Sequence, residues 1–139
     1  MKTKVGSILG LLSLLVLCAA GAAWARTYTL RSTPVAPGAT GTIDAKAEKA
    51  GGNTNVTVKV DHLARASQLT PTANEYVVWI KPSSGQATEQ GVLTVGDNEK
   101  GELKMTTTYP KFEVMITAEN EAHPKTPSDR VVLSTQVAE

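Results

Sequence analysis

Residues 43–60 read IDAKAEKAGGNTNVTVKV, and this stretch decides the fold. Apolar residues occupy every second position on both sides of a Gly51-Gly52-Asn53 break; they are Ile43, Ala45, Ala47, Val56, Val58 and Val60. Alternation with a period of two is typical of a strand with one buried face. Glycine and asparagine tolerate the positive φ angles of a tight turn. The stretch therefore predicts a β-hairpin.

Other short apolar stretches surround this hairpin. Residues 76–80, YVVWI, are apolar on both faces, as expected for a central strand between two layers, and Pro82 and Gly85 follow. Further strands are predicted around Tyr28 and Leu30 and at residues 92–95, 103–107, 112–118 and 131–137. These seven or eight strands, without a long amphipathic helix, predict an all-β fold, namely an immunoglobulin-like antiparallel β-sandwich.

Two connections matter for the topology. Residues 97–101, DNEKG, are expected to turn the strand at 92–95 back into the strand at 103–107. Residues 61–74 do not alternate, and Leu63, Ala64 and Ala66 are compatible with a turn or two of helix before Pro71. We expect this stretch to be a long connection that crosses between two sheets.

The first 25 residues have the three regions of a secretory signal peptide. Lys2 and Lys4 give a positive start, residues 5–20 are mostly apolar, and Ala23 and Ala25 are the small side chains that signal peptidase requires. We predict cleavage after Ala25, which leaves residues 26–139 as a single domain in the periplasm or outside the cell.

Two alternatives for this segment stay open. Residues 5–24 are about as long as the roughly 20 residues of a spanning helix, so a retained segment would anchor the domain in the membrane. Lipidation at Cys18 is the other alternative, although a bulky leucine stands where lipoprotein sites have a small residue. Because Cys18 is the only cysteine, cleavage would leave a domain with neither disulfides nor thiolate ligands.

The charge pattern excludes one class of partner. The chain has 14 Lys and Arg residues against 13 Asp and Glu residues, and the basic ones are spaced singly. A nucleic-acid or anionic-membrane surface needs clustered cations that displace counterions. We therefore predict no nucleic-acid partner, and contact with a membrane only if the signal segment is retained.

The second half of the chain carries a family resemblance in a series of short segments. They are YVVW (76–79), GVL (91–93), GEL (101–103), FEVMITAE (112–119), TPS (126–128) and VVL (131–133). Their spacing over residues 76–134 resembles the extracytoplasmic C-terminal domain of anti-sigma-K-type factors. In that family a cytoplasmic sigma-binding region precedes the membrane segment, whereas here four residues precede the apolar stretch. The resemblance implies a sensor-like exterior module without sigma binding and without catalytic residues.

Residues that carry acid–base chemistry are few. His62 and His123 are the only histidines, and neither lies in a Gly-x-Ser-x-Gly or His-Glu-x-x-His motif. A hydrolase needs a nucleophile, a base and an orienting group together. We therefore predict that the protein is not an enzyme and has no catalytic residues.

Metal binding is the second hypothesis that the residues permit. A periplasmic copper carrier would use the soft ligands His62, His123, Met105 and Met115, but a cupredoxin-type centre also requires a cysteine thiolate. Met105 alternates with Leu103 and is expected in the core. The acidic turn at 97–102 lacks the spacing of a calcium-binding EF-hand loop. We predict neither a metal site nor a cofactor, and keep the copper carrier as the alternative.

The remaining function class is a binding or structural module. We predict an exported, non-catalytic module of the bacterial cell envelope that binds a protein or another envelope component. Thr106, Thr107 and Thr108 fit the solvated face of an antiparallel sheet, and they also fit an edge to which a partner adds a strand.

Overall fold

The computed structural model describes residues 25–48 and 51–138; the predicted signal segment before Ala25, including Cys18, lies outside these ranges. The described chain forms eight strands, which are β1 (Ala25–Ser32), β2 (Thr40–Ala47), β3 (Thr54–Asp61), β4 (Glu75–Pro82), β5 (Thr88–Leu93), β6 (Gly101–Thr107), β7 (Lys111–Glu119) and β8 (Val131–Ala138). Within the described ranges no helix is long and apolar enough to cross a membrane.

The strands form one antiparallel sheet in the order β5-β4-β7-β8-β1-β2-β3-β6, and this sheet curls nearly into a barrel. The predicted all-β, antiparallel class is therefore confirmed. The sheet bends at β1, because residues 25–30 of this strand pair with β2 whereas Arg31 and Ser32 pair with β8. Across the bend, the Tyr28 hydroxyl donates a hydrogen bond to the Ala138 carbonyl at 2.6 Å.

The predicted hairpin is confirmed as β2 and β3. Ile43 pairs with Val58, so the buried alternating residues of the two strands share one face. Gly51 and Gly52 have φ angles of 95° and 67°, a left-handed conformation that glycine adopts without a steric penalty. Local sequence thus determines both the strands and their turn.

Strand β4 is buried on both faces, as its apolar sequence predicts. Tyr76, Val78 and Ile80 point into the core of the curled sheet. Val77 and Trp79 point to the outer face, yet neither is exposed at all. Residues 120–130, which we call the β7–β8 loop, cross that side: His123 contacts Glu89, the β5 partner of Trp79, and the Ser128 amide donates to Glu119 of β7.

One predicted hairpin is wrong. Strand β5 begins at Thr88 and ends at Leu93, so Val95 lies beyond it, and β5 pairs with β4 and not with β6. The turn before Gly101 instead carries the chain across to β3, and β5 and β6 become the two ends of the sheet. The reason is burial: pairing with β3 places Leu103 opposite Val58 and Met105 opposite Val56. Met105 lies in the core, as expected.

The connection between β3 and β4, predicted to cross between two sheets, joins distant strands of one sheet. Its helical part is a single 3₁₀ turn at Ala66–Gln68, within the turn or two of helix that the sequence permits. Leu63, Ala66, Leu69 and Ala73 are buried and join the core. Because every few residues of this connection contribute an apolar anchor, it packs as part of the fold.

Candidate functional site

The longer connections gather at one end of the sheet, which we call the loop end. They are residues 33–39, 62–74, 94–100 and the β7–β8 loop. The opposite end carries shorter connections, which include the turn at 51–53 and residues 83–87 and 108–110. Since binding residues are concentrated on loops held by a rigid scaffold, the loop end is the candidate site.

A groove of about 560 Å³ opens at this end, and we call it the loop-end groove. Residues 34–38 line one wall; the first four have apolar side chains, and Gly38 contributes only backbone. The other wall carries polar groups from His62, Gln68, Thr70 and Glu99. The apolar wall offers a ligand contact area, and the polar wall offers hydrogen-bonding groups that could orient it.

His62 and Glu99 are brought together by the register of two strands. Val60 at the end of β3 lies opposite Gly101 at the start of β6, so the residues just beyond each strand face one another. The Leu63 amide donates a hydrogen bond to the Glu99 carbonyl at 3.1 Å, which fixes this contact.

The backbone at both residues is left-handed. His62 has φ 53° and Glu99 has φ 63°, and within residues 25–48 and 51–138 no other residue except glycine has positive φ. This conformation costs on the order of 1 kcal/mol for a residue with a side chain, and such positions cluster at binding and catalytic sites. Two of them in one groove support a functional role for that groove.

Four charged residues next in sequence to the groove lining, or close to it, form ion pairs. Arg65 lies 3.0 Å from Asp97, and Lys100 lies 3.9 Å from Asp61. These exposed pairs contribute little to stability but reduce the free charge available to a ligand. In the acidic turn the Asn98 side chain accepts a hydrogen bond from the Lys100 amide. Across the described part of the chain, no group of three or more His, Cys, Asp or Glu side chains could hold a metal ion.

The structure does not bring the four copper candidates together. His62 lies at the loop end, with Nδ1 3.6 Å from an Asp61 oxygen. His123, in the β7–β8 loop, contacts Glu89 near the start of β5, with 2.7 Å between Nδ1 and Oε1. Met105 faces the core, whereas Met115 is half-buried on the outer face of β7. The geometry therefore gives the copper hypothesis no support.

A buried hydrogen-bond chain holds the β7–β8 loop against the outer face of β4. The Trp79 indole N–H donates to the Thr117 hydroxyl at 2.8 Å, and that hydroxyl donates to Glu119 Oε1 at 2.6 Å. The Ser128 amide donates to the same oxygen at 2.8 Å. The sequence contains one indication of this chain that the prediction did not use. Thr117 and Glu119 are polar residues at alternate positions of β7, and the neighbouring strand β4 is mostly apolar.

Tyr76 links the core to the groove. Its hydroxyl donates a hydrogen bond to the carbonyl of Ala64, a residue of the groove wall, at 2.6 Å. Burial raises the pKa of the Tyr76 phenol from 10.0 to about 12, against a smaller lowering by the Arg130 guanidinium. The phenol therefore stays neutral and keeps donating at moderately alkaline pH.

This shift predicts a loss of stability at high pH. The folded protein holds the phenol proton more tightly than the unfolded chain does, so its contribution is complete below pH 10 and is lost as the pH rises towards 12. Between about pH 10 and 11, wild type should lose roughly 1 kcal/mol more unfolding free energy than Tyr76→Phe does. Urea denaturation of both proteins at several pH values measures this difference. Equal losses of unfolding free energy would contradict the raised pKa of the Tyr76 phenol.

The chain matches none of the protein-family models, and no curated protein matches it. Its candidate function therefore depends on the geometry of the loop end.

Proposed function

We propose that this protein is an exported, non-catalytic binding module of the bacterial cell envelope, and that its ligand occupies the loop-end groove. The observation that carries the proposal is the facing pair His62 and Glu99, both left-handed, on the polar wall of that groove. The ligand class is a protein or another envelope component. The apolar wall at 34–38 would bury part of it, and the polar wall would orient it.

The arrangement of the histidines favours binding over catalysis. His62 has Asp61 beside it and His123 has Glu89, so each imidazole has an acidic neighbour. Within the described residues neither ring has a serine or threonine hydroxyl as a hydrogen-bond partner. The pairs therefore lack the hydroxyl nucleophile of a serine-type hydrolytic triad.

Two finer interpretations belong to this proposal. The first is an immunoglobulin-like sandwich, supported by the bend at β1 and by the core between the two halves of the sheet. This interpretation applies to the packing of two layers. It does not extend to the strand order, in which β2 lies between β1 and β3. The second is the sensor-like exterior module implied by the resemblance of residues 76–134 to anti-sigma-K-type factors.

A groove-filling variant tests the proposal. Ala64 is half-buried in the groove wall, so Ala64→Trp should occupy the space that the ligand needs. We expect capture of an envelope component from membrane and periplasmic extracts to weaken at least about tenfold, the effect of losing a central contact. Ser84→Trp, at an exposed position at the opposite end of the sheet, is the matched control and should bind like wild type.

Two results would count against the groove. One is equal capture by Ala64→Trp and Ser84→Trp when circular dichroism shows that both are folded. The other is recovery of no specific component by wild type from any extract.

A further inference from the structure

A second cavity, of about 340 Å³, lies on the outer face of β4 and β7, and we call it the outer-face cavity. It is lined by Lys81 and Met115 of these strands, by residues 85–87 between β4 and β5, and by Thr126 and Pro127 of the β7–β8 loop. It shares no lining residue with the loop-end groove, so it is a separate candidate site. Small-molecule sites have volumes of roughly 300–1,000 Å³, and this cavity falls at the lower end of that range.

The apolar lining of the outer-face cavity is only partly covered. Met115, Ala87 and Pro127 line it from β7, from the β4–β5 connection and from the loop, and all three are half-buried. A ligand that covers these side chains removes apolar area from water, which favours binding. Methionine has a flexible, polarisable side chain that adapts to ligands of different shape. The cavity therefore suits the apolar body of a small molecule.

Lys81 supplies the charge of this cavity. Among the described residues that line it, Lys81 alone is charged, and its ammonium group forms no ion pair with any other described residue. Gln86 and Thr126 line the same cavity and carry side-chain groups that donate hydrogen bonds. A free ammonium group beside two neutral donors is complementary to an anionic group.

Two carboxylates lie close to the cavity without lining it. Glu113 is opposite Lys81 in the β4–β7 register, but it lines a different cavity and forms no ion pair with a residue in the described part of the chain. Glu89, two residues beyond Ala87, has its Oε1 2.7 Å from His123 Nδ1. No direct contact therefore compensates the charge of Lys81, and an anionic ligand can supply one.

We propose that the outer-face cavity binds a small organic anion. The apolar body of this ligand packs on Met115, Ala87 and Pro127, and its carboxylate or sulfonate group lies at Lys81. The unpaired ammonium group determines the sign of the charge. A cation of the same shape would face Lys81 as a like charge, and an uncharged molecule would leave the ammonium group without a partner.

Fluorescence titration with two probes that have the same rings tests the charge. The probe 8-anilinonaphthalene-1-sulfonate is an organic anion, and N-phenyl-1-naphthylamine lacks its sulfonate. We expect Lys81→Gln to weaken binding of the sulfonate about two- to fivefold, the effect of losing one exposed charge contact, and to leave binding of the uncharged probe unchanged. Lys104→Gln, at an exposed position on β6, is the matched control and should bind both probes like wild type.

Two cavity-filling variants test the location. Ala87→Trp occupies the outer-face cavity and should weaken binding of both probes at least about tenfold, the effect of losing a central contact. Ala64→Trp occupies the loop-end groove instead and should bind both probes like wild type. The outcome at the outer-face cavity therefore does not depend on the ligand of the loop-end groove.

A wild type that binds neither probe would overturn the proposal. So would a Lys81→Gln variant that binds the sulfonate like wild type or loses both probes equally, and a folded Ala87→Trp variant that binds both probes like wild type. An Ala64→Trp variant that loses as much binding as Ala87→Trp would also overturn it. If Ala87→Trp fails to fold, an NMR titration of wild type with the sulfonate decides. The amide shifts must then include residues 85–87 and Met115, and shifts confined to other residues overturn the proposal.

Discussion

Replacing Trp79 by alanine is expected to lower the free energy of unfolding by about 3–5 kcal/mol. The indole is among the largest fully buried side chains, and it lies on the outer face of β4 under the β7–β8 loop. Its removal leaves a cavity between strand and loop and takes away the donor that Thr117 accepts. Urea denaturation followed by circular dichroism gives the value.

The control for this prediction is the exposed aromatic Tyr109. Tyr109→Ala removes a ring that is 42% exposed and should cost less than about 1 kcal/mol in the same experiment. A loss of unfolding free energy below about 1 kcal/mol for Trp79→Ala would show that the outer face of β4 is not covered as described.

Glu119→Ala is the second large effect that we expect, with a loss of about 2–3 kcal/mol in the free energy of unfolding. Glu119 is buried at the end of β7, and its Oε1 accepts hydrogen bonds from the Thr117 hydroxyl and the Ser128 amide. Without this oxygen the partly buried Ser128 amide has lost its acceptor, and the loop loses its anchor to the strand. Hydrogen exchange should show the loss first at the Ser128 amide, before global unfolding.

Glu119→Gln separates the anchor from the charge. The glutamine side chain keeps an oxygen at the same position. The variant should therefore lose no more than about 1 kcal/mol of unfolding free energy, and the backbone amide of Ser128 should remain protected from exchange. Equal destabilisation by the two variants would mean that the carboxylate charge, and not the hydrogen bonds to the loop, stabilises this region.

Both effects concern a loop whose role could not be predicted. The sequence of β4 indicated burial on both faces, and this was correct. It gave no information on what covers the second face, because the covering residues around Ser128 lie far along the chain from Trp79. Their contact depends on β7 pairing with β4, which places Thr117 next to Val77.

The candidate site likewise combines residues that the sequence singles out with a contact that the sequence does not predict. His62 and Glu99 were both recognised in the sequence, one as a possible base and the other as part of an acidic turn. Their contact follows from the β3–β6 register, and the sequence suggested instead that β6 would return beside β5. Proximity in the sequence favoured that hairpin, whereas burial of Leu103 and Met105 against the valines of β3 decided otherwise.

The sequence alone determined the all-β class, the hairpin of β2 and β3, and the burial of β4. These features depend on alternation and turn chemistry within a few neighbouring residues, where side-chain period and backbone preference act locally. Only the tertiary structure decided that β5 and β6 are the two ends of the sheet, that the β7–β8 loop covers Trp79, and that the loop-end groove exists. The physical reason is that strand order follows from which apolar faces bury each other best, and those faces are distant in sequence.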